Sequence, residues 1–72
     1  MPLKQRHFDP ETLGAMKRAL EEATEALPPP ERTQERKLAL ASRILDLAAG
    51  GERDVSRLRA GALLHIVRGG RD

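Results

Sequence analysis

Seventy-two residues without a cysteine, with 13 Lys and Arg against 11 Asp and Glu, make at most one domain. They exclude a disulfide framework, a thiolate zinc site and a cysteine nucleophile. No apolar run approaches the roughly 20 residues of a membrane span, and residues 1–8 carry two charges but no apolar stretch of a secretory signal, so the expectation is a cytoplasmic protein.

The net charge is only +2, because the Arg and Lys residues, mostly Arg, are nearly offset by acids. By segment the charge runs +2 over residues 1–8, −3 over 9–26, +1 over 27–51 and +2 over 52–72. An acidic first half and a mildly basic end are not the basic stripe of a nucleic-acid binder.

No segment alternates with period two, and two Val, two Ile and one aromatic residue are too few for strands. Helix 1 is predicted to start at Asp9-Pro10-Glu11: Asp9 as N-cap, Pro10 at the first helical position, Glu11 at the positive end of the dipole. Phe8 and Leu13 have hydrophobic-staple spacing. Leu13, Met16, Leu20, Ala23 and Leu27 recur at intervals of three and four and are the expected core stripe, flanked by Ala15, Ala19 and Ala26. Lys17, Arg18, Glu21, Glu22 and Glu25 form the outer face. Pro28-Pro29-Pro30 ends the helix and gives a short, stiff connection.

Helix 2 begins between Pro30 and Gln34, with Thr33 as cap, and runs to about Ala49. Its apolar arc, from Leu38 and Leu40 through Ala41, Ile44 and Leu45 to Leu47 and Ala48, is wide enough to need two neighbours. That marks it as the central element. Gly50-Gly51 supplies the C-cap. Helix 3 follows the N-cap Asp54 and runs from Val55 to about Val67. Val55, Leu58, Ala62 and Ile66 form its stripe, and Gly61 costs about 1 kcal/mol relative to Ala in mid-helix. The expected architecture is therefore a single all-α domain, a short-looped three-helix fold ordered over 8–67, with 1–7 and 68–72 flexible.

The core is thin. Eighteen large apolar side chains, at about 1.5–3 kcal/mol each when fully buried, barely match an ordering cost of about 1.5 kcal/mol per residue. A partner surface would help.

Phe8-Asp9-Pro10-Glu11-Thr12, Leu38-Ala39, Arg43-Ile44-Leu45, Gly51-Glu52-Arg53-Asp54 and Arg57-Leu58-Arg59 together resemble a group of short uncharacterised bacterial proteins, over about residues 8–66. The resemblance implies a small self-contained helical domain and carries no activity or binding residues.

The motifs point away from chemistry. A helix-turn-helix built on helices 2 and 3 needs a buried apolar residue six positions after its turn glycine, and this chain offers Ser56 or Arg57. Arg53, Arg57, Arg68 and Arg71 could contact phosphates, but no aromatic interleaves with them to stack bases. Arg59 falls in the apolar arc, where its stem packs on helix 1 or its head meets a carboxylate. His65 has no His, Asp or Glu one turn away, and His7 lies in the N-terminal arm, so no metal set forms. Glu21, Glu22 and Glu25 lie on an open helix face with no cleft to shift their pKa values. Ser42 and Ser56 have no local base.

Leu64, opposite the helix 3 stripe, and Leu40 and Leu47, at the edge of the helix 2 arc, are the expected exposed apolar contacts. The sequence thus predicts a small non-catalytic helical protein without cofactor, acting as a protein-interaction module. The alternatives are a weak nucleic-acid binder through helix 3 and a structural homodimer.

Overall fold

The computed structural model of the protein describes residues 8–69, and side chains over residues 8–66. Helix α1 spans Pro10–Ala26, a single 3₁₀ turn Pro29–Glu31, α2 Gln34–Ala49 and α3 Val55–Gly69. There is no strand among the described residues. The expected all-α, three-helix fold is what forms.

Each helix starts where the sequence predicts, because each has a side-chain oxygen to satisfy an orphan amide. The Asp9 carboxylate accepts the Thr12 N–H at 2.8 Å, the Thr33 hydroxyl accepts the Arg36 N–H at 3.1 Å, and the Asp54 carboxylate accepts the Arg57 N–H at 3.0 Å.

The ends use a device that helical spacing does not show: an arginine in the following loop reaches back to the last carbonyls. Arg32 donates from Nε to the Leu27 carbonyl and from Nη2 to the Glu25 carbonyl, each at 2.9 Å. Arg53 Nη1 donates to the Ala48 carbonyl at 2.8 Å. Both guanidinium groups thereby sit at the negative end of a helix dipole. Helix α2 also closes in a Schellman motif, with the Gly51 N–H on the Ala48 carbonyl and the Glu52 N–H on the Leu47 carbonyl, both at 3.0 Å. That turn needs a left-handed residue, and Gly51 supplies φ +111°.

All three helices pack pairwise, α2 most extensively on α3. Because α1 and α3 also meet directly, the three helices form a closed triangle. Helices α1 and α2 are antiparallel: Lys37 lies beside Leu20 and Thr24, while Leu45 lies beside Leu13. The core joins Met16, Ala19, Ala23 and Leu27 of α1 and its C-cap to Leu40, Ile44 and Ala48 of α2 and Leu58, Ala62 and Ile66 of α3. Phe8 packs against this core from outside.

Two expectations are corrected. Helix α3 continues through Arg68 to Gly69, so the ordered backbone extends two residues past 67; residues 1–7 and 70–72 lie outside the described part. Along α1 the buried line is Thr12, Met16, Ala19 and Ala23, and Leu13 is left half-exposed. On α1, Ala19 and Ala23 take the most buried positions beside Met16, and Leu13 falls on the flank.

Two glycines should respond oppositely to alanine. Gly14 is exposed in mid-helix, and a β-carbon added there would meet nothing within 4 Å. Gly14→Ala should therefore stabilise by up to about 1 kcal/mol, raising Tm by about 4–8 °C. Gly51→Ala forces a side chain into positive φ and should lower Tm by a comparable amount. Thermal melts of the two variants check this.

Candidate interaction surface

The three leucines expected at the surface part company. Leu40 is fully buried, at 0% exposure, in the middle of the core. Leu47 is partly buried and packs against α3, where an added β-carbon at Gly61 would fall 2.6 Å from its Cδ1. Gly61 is thus the hole that admits Leu47, which accounts for a glycine in mid-helix. Leu40 cannot meet a partner without unpacking the domain. Only Leu64, at 55%, is open. The wide arc of α2 deceives here: its Leu40–Leu47 edge is the one that α3 covers.

The other exposed large apolar side chains are Leu13 at 47%, Leu38 at 60% and Leu45 at 39%. Leu13 and Leu45 come together between α1 and α2. Between these helices runs an open groove of about 270 Å³, lined by Leu13, Met16, Lys17, Leu20, Ala41, Ile44 and Leu45. Lys17 is its one charged lining residue. A signal for this face was present in the sequence: Leu13 and Leu20 on α1 are seven residues apart, a second stripe beside the alanine line.

The basic residues do not form a phosphate cradle among those described. Arg53 is committed to the Ala48 carbonyl, and it shares a surface hollow of about 400 Å³ with Asp9 and Glu11, whose carboxylates oppose a phosphate. Arg57 is exposed, and its backbone N–H serves the α3 cap. The side chain of Arg68 and all of Arg71 lie outside the described residues. Ser56 and Arg57 are both exposed, so the α2–α3 connection lacks the buried residue that a helix-turn-helix would require.

Arg59 behaves as its position in the apolar arc suggests. Its Nη1 meets Glu22 Oε1 at 2.6 Å, tying α3 to α1, while Arg18 Nε approaches the other carboxylate oxygen of Glu22 at 3.6 Å. Arg43 Nε is buried and has no hydrogen-bond partner among the described residues. His65 is exposed, and among the described residues no three His, Asp or Glu come together as a metal set. No helix among the described residues is long and apolar enough to cross a membrane.

The Asp9 carboxyl is held below the usual carboxylate range by hydrogen bonds from the Thr12 side chain and backbone, with the Arg53 charge adding to them.

No protein-family model, curated protein or solved structure matches the chain.

Two outcomes follow from these placements. Leu40→Ala should cost about 2–5 kcal/mol of unfolding free energy, whereas Leu64→Ala should stay within about 0.5 kcal/mol; denaturant titration separates them. Because the folded pKa of Asp9 is depressed, its contribution is present above the ordinary carboxylate pKa and is lost as pH falls through the folded value. Asp9→Asn keeps the cap without that titration, so its Tm should fall less steeply with acidification than the wild type's.

Proposed function

We propose that the protein is a non-catalytic interaction module of the bacterial cytoplasm, and that it binds another protein chain through the apolar face shared by α1 and α2. One observation carries this reading: Leu13 and Leu45, two of the four exposed large apolar side chains among the described residues, line one groove together with Met16, Leu20 and Ile44. Scattered single leucines are ordinary on a protein surface, whereas a contiguous apolar patch is the usual mark of an interface. The face is a groove between two antiparallel helices, which suits a helical partner laying an apolar stripe into it. The bacterial source is what the resemblance carried by residues 8–66 implies.

The nucleic-acid reading loses support, because Arg53 is engaged at a helix end beside two carboxylates.

The test is affinity capture by the tagged full chain in an extract of the source cells, comparing wild type with Leu45→Asp and Leu64→Asp. The wild type and Leu64→Asp should retain the same protein, and Leu45→Asp should lose it. Retention by Leu45→Asp together with loss by Leu64→Asp would overturn the assignment of the face.

A further inference from the structure

We draw no further inference here: the strongest candidate, the open apolar groove between α1 and α2 lined by Leu13, Met16, Leu20, Ile44 and Leu45, belongs to the face already described, and nothing in the structure shows what covers it.

Discussion

Everything in this domain depends on how closely three helices can approach with so little side chain to fill the space between them. The line where they meet is made of small residues: Ala19 and Ala23 on α1, Ala48 on α2 and Ala62 on α3 are all essentially inaccessible. Six larger side chains complete the core, Met16, Leu27, Leu40, Ile44, Leu58 and Ile66, of which Leu40, Ile44 and Leu58 are almost wholly buried. Gly61 extends the same logic, since it removes a β-carbon where Leu47 has to sit. Close approach compensates for low side-chain volume, because dispersion contacts decline steeply once a gap opens.

That choice has a consequence at the surface. A helix has one circumference, and if its alanines face inward then its leucines must lie elsewhere. On α1 the heptad-spaced Leu13 and Leu20 are displaced to the flank that α2 only partly covers. On α2 the inward line is Leu40, Ile44 and Ala48, and Leu45 borders the same groove. The apolar face is therefore a product of the tight core and not a separate addition to it, which links the packing to the proposed interaction.

Much of the fold is legible in the sequence because helix ends are governed by local chemistry. Asp9, Thr33 and Asp54 cap as their identities suggest, Gly51 takes the left-handed turn, and the three prolines stop α1. The Arg59–Glu22 pair is also readable, since a charged head on an apolar arc must find a partner. The leucines are not. Helical periodicity says which residues share a face, but not which face a neighbouring helix covers. It places Leu13 in the core stripe and Leu40 at the partly exposed edge of the α2 arc, whereas Leu13 is half-exposed and Leu40 wholly buried. Nor can spacing reveal that Arg53 turns back to the Ala48 carbonyl.

The most direct test of the small-residue line is Ala23→Leu, followed by denaturant unfolding. The side chain is added at a position with no exposed surface, so it must push α1 away from its neighbours. A loss of about 1–3 kcal/mol, despite the added apolar area, is the result expected from overpacking. An unchanged or increased stability would show that the centre has room for a leucine, and would contradict the account of why Leu13 and Leu20 lie on the flank of α1.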